Sequence, residues 1–174
     1  MELKSKKLSF SISYPVQLGI AGFEQKLEGL LVVLEEFLER ESLLHEKLKE
    51  MVKISLSICF CDEETIHSFN KKYRNKDSVT DVLSFPVHGG LRRDDQLLIG
   101  GADQLELGDI IICVGRATAQ AGEFEVTLEN ELIHLIIHGF LHLLGFDHEV
   151  SDEEQEVMNR LEESLVIKIH HYFR

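Results

Sequence analysis

Three histidines near the end of a long apolar segment have the spacing of metal ligands. His138 and His142 are four residues apart, so on a helix both imidazoles project from the same face. Gly145 follows, where a left-handed backbone conformation can end the helix and turn the chain toward His148. Three neutral imidazoles can share one divalent cation and leave one coordination position open, as in catalytic zinc sites. The spacing therefore predicts a metal site whose ligands are His138, His142 and His148.

The metzincin proteases have the same spacing, H-E-x-x-H-x-x-G-x-x-H, with one chemical difference. Their general base is a Glu directly after the first His, and here Gly139 occupies that position. Without a group to activate water, peptide hydrolysis loses its main support. A bound cation can still lower the pKa of water, so a metallohydrolase acting on another substrate stays open.

The charge of the chain is strongly acidic but unevenly distributed. Its 18 basic and 31 acidic residues give a net charge of -13, which repels polyanions and disfavours nonspecific binding of nucleic acid. Residues 149–163 contain seven acidic residues and one basic residue, whereas residues 71–76 contain four basic residues and no acidic one: Lys71, Lys72, Arg74 and Lys76. We therefore expect a local basic site near the histidines, with the acidic last helix away from it.

Length and composition limit the class of protein. A chain of 174 residues that is 44% hydrophobic and 28% charged is typical of one soluble globular domain, here 1–174. No apolar run approaches the roughly 20 residues of a membrane span, and the N-terminal segment lacks the apolar core of a signal peptide. The three cysteines are too few for a disulfide framework, which favours a reducing, cytoplasmic location.

Hydrophobic periodicity predicts the elements that must position the histidines. Strands are expected at 10–14, 52–60, 82–85 and 108–114, and helices at 22–40, 62–73, 115–121, 127–144 and 151–168. Thr127 and Ser151 have the positions of helix N-caps, and residues 88–95 are expected to form an exposed loop. This order predicts a single α/β (α+β) domain with a small mixed sheet of about four strands and about five helices.

Three segments of the sequence resemble signature blocks of the YbeY family. Residues 138–148, H-G-F-L-H-L-L-G-F-D-H, resemble H-G-x-L-H-L-x-G-[YF]-D-H. Residues 70–86 resemble the block L-N-x-x-[YF]-R-x-K-D-x-x-T-D-V-L-S-F-P, with Phe69 in place of its leading Leu, and residues 107–113 resemble L-G-D-I-x-I. The resemblance extends over residues 52–149 and does not reach the first fifty residues or the last helix.

This resemblance implies a zinc-dependent endoribonuclease specific for single strands that acts in 16S rRNA 3′-end maturation and ribosome quality control. It implies one zinc ion per chain on His138, His142 and His148, with Arg74 in the active cleft. The implied partners are single-stranded RNA, including 16S rRNA, and the small ribosomal subunit with its assembly factors, without DNA or a membrane.

The chemistry of Arg74 suits a phosphate clamp. Its guanidinium can contact two phosphate oxygens and stabilise the charge that develops on phosphorus. The structural alternative is a surface arginine stabilised by the dipole at a helix end. Substrate attraction from the neighbouring lysines is also expected, from Lys71, Lys72 and Lys76.

Three further residues have competing interpretations. His134 lies one helical turn before His138, where it can contact substrate or support a ligand, or it is a core histidine bonded to a neighbour. Asp147 precedes the third histidine and either orients an imidazole by accepting its free N–H or forms a turn. Asp81 either caps the turn before a strand or lines the cleft.

A non-hydrolytic ribosome-assembly factor is the alternative of a different class. Its zinc site would be structural or would grip RNA without cleaving it. The open coordination position favours an enzyme, whereas the acidic charge and the lack of an evident general base favour the assembly factor. Turnover of a purified RNA with and without a chelator distinguishes the two.

Overall fold

A computed structural model describes the chain over residues 1–16, 18–51, 53–92 and 104–173. Five strands lie in these ranges: β1 (Glu2–Lys4), β2 (Leu8–Ser13), β3 (Lys53–Cys61), β4 (Val82–Pro86) and β5 (Gln104–Cys113). Six helices accompany them: α1 (Phe23–Arg40), α2 (Glu46–Glu50), α3 (Glu63–Arg74), α4 (Val114–Glu123), α5 (Leu128–Leu143) and α6 (Asp152–Tyr172). Residue 52 of one predicted strand and residues 93–95 of the predicted loop lie outside the described ranges.

The strands form one mixed sheet in the order β1-β2-β3-β5-β4. The three inner strands are parallel, and the edge strands β1 and β4 pair antiparallel with their neighbours. In β5, Ile110 and Ile112 face the main core while Ile111 packs in a smaller cluster on the other face. Burial on both faces explains why this strand is a continuous apolar run rather than an alternating one. The predicted mixed α/β class is confirmed.

Helix α5 carries the first two histidines and lies between the sheet and the other helices. It contacts β4, β5, α4 and α6, so it is buried on nearly all sides. The Thr127 side chain accepts a hydrogen bond from the Asn130 N–H at 3.2 Å, and Gly145 has a φ of 89° just beyond the helix. Both predicted ends of the helix are therefore confirmed.

Gly139 marks the closest approach of α5 to the sheet. A Cβ atom at this position would lie 2.8 Å from Ile110 Cγ2 and 3.0 Å from Ser84 Oγ. Only glycine fits there without displacing the strands. The residue that replaces the protease Glu therefore faces the sheet and serves packing.

The structure differs from the expected elements in three places. Strand β1 and helix α2 were not predicted, because runs of three and five residues are too short for a periodic pattern. Helix α6 continues to Tyr172, beyond the expected end near 168. None of the helices in the described ranges is long and apolar enough to cross a bilayer.

The expectation of an exposed loop at residues 88–95 is wrong in its described part. Leu91 is fully buried, and its carbonyl accepts a hydrogen bond from the His45 N–H at 3.0 Å. Arg92 Nη1 lies 2.6 Å from Glu154 Oε2 at the start of α6. One apolar side chain and one ion pair fix this segment to the domain although its composition is that of a loop.

Candidate active site

The three predicted histidines meet at the C-terminal end of α5. His142 Nε2 lies 3.1 Å from His138 Nε2, and the His148 ring centroid is 5.3 Å from each of the other two rings. One nitrogen from each ring lies within 4.8 Å of the others. The cluster can hold a metal ion, as expected from helix spacing followed by the turn at Gly145.

The protonation state of His142 suits a cation. Burial, together with the nearby charges of His138, His148 and Arg74, lowers the pKa of His142 to about 4, although Asp147 opposes the shift. A neutral imidazole offers a lone pair, whereas an imidazolium cannot bind a metal. Three imidazole nitrogens form the donor set of catalytic zinc sites, so the residues present fit the zinc that the family resemblance implies.

Glu162 of α6 is the functional residue that sequence reasoning missed. Its Oε1 lies 2.6 Å from His138 Nδ1, and the two side chains are only 15% and 23% exposed. A carboxylate that accepts the Nδ1–H holds the tautomer in which Nε2 is the metal-binding atom. The side chain thus orients His138 and makes its ring more basic toward a cation.

The acidic last helix was expected to lie away from the site, and that expectation is wrong. Helix α6 packs against α5 and brings Glu162 into contact with His138. A signal was present in the sequence, because Glu162 borders the apolar stripe formed by Met158, Leu161 and Leu165. An acidic residue at such a border is partly buried and needs a partner.

His134 lies one turn before His138 and shares a neighbour with it. Its Nε2 is 4.0 Å from Glu162 Oε2, and its Nδ1 is 3.9 Å from Glu131 Oε1. Burial raises the pKa of Glu131, an effect that His134 opposes and Asp81 reinforces. The His134 side chain is 46% exposed, so it is not a core residue and can be reached by substrate.

Arg74 is the last residue of α3, one residue beyond the expected end of that helix. Asn75 caps the helix with a left-handed φ of 54°. Arg74 Nη2 lies 3.7 Å from the carboxylate of Glu149, the residue after His148, and the arginine side chain is 44% exposed. Arg74 also helps to lower the pKa of His142, so its charge acts on the histidine cluster.

The three lysines of the basic run are exposed and have different neighbours. Lys71 Nζ lies 2.7 Å from Asp77 Oδ2, which offsets part of its charge. Lys72 Nζ lies 4.9 Å from the centroid of the Tyr73 ring. Lys76 follows the end of α3 and is also exposed. Their contact with RNA stays a prediction.

Two aspartates have structural hydrogen bonds. Asp147 Oδ1 accepts from the Glu149 N–H at 2.9 Å and so supports the turn around the third histidine. Asp81 accepts from Gln120 Nε2 at 2.7 Å and from the Val82 N–H at 2.8 Å. Burial disfavours ionisation of Asp81, but these hydrogen bonds outweigh it and hold the Asp81 pKa below its ordinary value.

Known proteins share both this sequence and this fold. The family model described as Endoribonuclease YbeY matches residues 24–170. Endoribonuclease YbeY of Pelotomaculum thermopropionicum is 38% identical over 149 residues, which cover 85% of this chain and 90% of that protein. Endoribonuclease YbeY of Oceanobacillus iheyensis is 44% identical over 110 residues, covering 63% and 71% of the two chains.

A solved structure agrees with these relatives. The solution structure of TM1509 from Thermotoga maritima superposes with a TM-score of 0.55 at 28% identity, covering 95% of this chain and 91% of that chain. The family match includes the histidine cluster, Arg74 and Glu162. The chain therefore belongs to the endoribonuclease YbeY family.

Proposed function

We propose that this chain is a zinc-dependent endoribonuclease that cleaves single-stranded RNA in 16S rRNA 3′-end maturation and ribosome quality control. The proposal treats residues 1–174 as one cytoplasmic catalytic domain that meets its substrate on the small ribosomal subunit and its assembly factors. The observation that carries it is the cluster of three histidines, beside which Arg74 lies near Glu149. A cation site with an adjacent guanidinium suits a phosphodiester.

Each residue of the site has a distinct role in the proposed activity. His138, His142 and His148 would hold the zinc ion, which when bound supplies positive charge to a phosphate oxygen. Glu162 keeps His138 in the ligating tautomer through its 2.6 Å contact. His142 stays neutral because its pKa is lowered to about 4.

Arg74 is placed to hold the scissile phosphate. Its 3.7 Å distance to Glu149 is longer than a hydrogen bond, and a phosphate can displace that contact. The guanidinium can then donate to two phosphate oxygens and stabilise the charge that grows on them. Exposed lysines on α3 and just after it add attraction for the strand despite the net charge of -13.

The alternative of a non-hydrolytic assembly factor is favoured by one observation. Glu162, the carboxylate that contacts the histidine cluster, is engaged with His138 rather than free to act as a base. In that alternative the zinc site grips RNA or supports the fold. Multiple turnovers of a purified RNA exclude it, whereas tight binding without cleavage supports it.

The first test measures metal and turnover together. The purified chain is loaded with zinc and incubated with a single-stranded RNA or its duplex, with and without a chelator. We expect one zinc per chain, and cleavage of the single strand that the chelator abolishes. His142→Ala should lose both zinc and cleavage, and a full zinc content in this variant would refute the three-histidine site.

The second test separates Arg74 from the metal. Arg74→Ala should keep one zinc per chain and lose most cleavage, and Arg74→Lys should restore little because a point charge cannot make the bidentate contact. Arg40→Ala is the matched control, since Arg40 is an exposed arginine at the end of α1. Full activity in Arg74→Ala would leave the phosphate clamp without support.

A further inference from the structure

An open cleft of about 280 Å³ lies beside the histidine cluster. It is formed between the first half of α5 and the last half of α6, and the turn after α4 closes one end. Its lining is mainly apolar, with polar or charged side chains from Lys26 of α1, from Asn130, Glu131 and His134 of α5, and from His170 of α6. Nothing derived so far for the metal site or Arg74 uses this cleft.

The cleft is adjacent to the histidine cluster through His134. His134 lines the cleft and lies one turn, about 5.4 Å along the helix axis, before His138. Glu162 connects them, since one of its carboxylate oxygens contacts His138 and the other lies 4.0 Å from His134. An RNA strand with a phosphate at the cluster can therefore place a neighbouring nucleotide at the cleft.

Two aromatic rings at the mouth are more exposed than packing alone requires. Phe124 is 64% exposed and Phe173 is 43% exposed, and both line the cleft. The position of Phe173 is built into the fold, because any side chain at Gly29 of α1 would overlap its ring. Exposed aromatic rings beside a cleft mark a binding surface for flat apolar groups.

We propose that this cleft holds one unstacked nucleobase of the RNA strand whose phosphate lies at the histidine cluster. The inference rests on the proposed function and adds a substrate subsite to it. A nucleobase has a flat apolar face for Phe124 and Phe173, and polar edges for the Asn130 amide and His134. An uncharged base suits this lining better than a phosphate, because Glu131 contributes a carboxylate and the ammonium of Lys26 is paired with Glu129 at 3.1 Å.

The size of the cleft favours a base over a docked protein helix. At about 280 Å³ it is at the small end of ligand pockets and suits a single ring system. A docked amphipathic helix would need anchor pockets at successive turns along a longer groove. The experiment therefore tests for a nucleobase in the cleft. A negative result would favour a protein ligand instead.

The test combines abasic RNAs with a cleft variant in the zinc-loaded full chain. A set of octanucleotide RNAs, each with one abasic position, is compared with the intact RNA by single-turnover cleavage. In the wild-type chain, removal of the base at one position should raise the half-saturating RNA concentration about 5- to 150-fold. Phe124→Ala should raise the half-saturating concentration of the intact RNA. In this variant, removal of the base at the same position should cause no further increase, so that the two losses do not add.

Two further variants test whether a loss reflects damage to the fold rather than loss of the aromatic face. Phe124→Tyr keeps an aromatic face and should retain wild-type behaviour. Ile167→Ala should also match the wild type, because Ile167 is 48% exposed on α6 and does not line the cleft. The nucleobase site would be overturned if base removal and Phe124→Ala raised the half-saturating concentration additively. It would also be overturned if no abasic position raised that concentration in the wild type.

The design keeps this inference distinct from the function on which it rests. Cleavage that depends on His142 but is unaffected by Phe124→Ala overturns the subsite alone and leaves the cleft to a protein ligand. A wild-type chain that neither binds nor cleaves any RNA overturns the subsite and the endoribonuclease proposal together.

Discussion

Removal of Glu162 should weaken zinc binding without unfolding the protein. Its carboxylate makes a 2.6 Å hydrogen bond to His138 Nδ1, with the two side chains only 15% and 23% exposed. A hydrogen bond to a charged group stabilises by about 1.5–3 kcal/mol. This corresponds to about a 10- to 150-fold change in affinity, in line with the 10- to 100-fold loss that follows removal of such partners in metal sites.

The assay is competition between the protein and a chelator of known zinc affinity. Glu162→Ala should shift the zinc dissociation constant upward by about 10- to 100-fold. Glu162→Gln should shift it less, because its amide oxygen can still accept the Nδ1–H without the charge. Glu163→Gln is the matched control, since the neighbouring Glu163 is exposed on α6. An unchanged zinc affinity in Glu162→Ala would refute the orienting role, provided that thermal unfolding shows an intact fold.

Gly139→Ala is expected to destabilise the fold by about 1–3 kcal/mol, because its methyl would lie 2.8 Å from Ile110 Cγ2; an unchanged urea midpoint would contradict such close packing. Asp81→Asn is expected to cost about 1 kcal/mol at neutral pH. Because the Asp81 pKa is lowered in the folded state, this stabilisation is lost as pH falls through that pKa, so the two unfolding curves should converge in acid. Lys72→Glu is expected to weaken RNA binding and flatten its log–log salt slope by about 0.7, with zinc content unchanged. A slope equal to that of the Lys47→Glu control would remove Lys72 from the RNA contacts.

The metal cluster was predictable from sequence because its geometry is local. His138 and His142 share a helix face, and Gly145 turns the chain toward His148, so eleven residues of sequence define the cluster. The mixed sheet was predictable for a similar reason, since alternation and apolar runs are short-range patterns.

The partners of the cluster were not predictable, because they come from distant parts of the chain. Glu162 is 24 residues from His138 and reaches it only through the packing of α6 on α5. Nothing in the local sequence distinguishes Glu162 from its acidic neighbours except its place beside the apolar stripe. The cleft has the same origin, since Phe124, Asn130 and Phe173 meet only in the folded chain.

The orientation of α5 on the sheet determines which reactions can be engineered into this scaffold. Gly139 is packed against the sheet, where a Cβ atom would lie 2.8 Å from Ile110 Cγ2. A Glu at position 139 would be forced into the apolar interior, where an isolated carboxylate is strongly disfavoured. Reproducing the complete protease motif would thus damage the fold before it supplied a base. A designer seeking peptide hydrolysis here would have to recruit the carboxylate from another element that faces the three imidazoles.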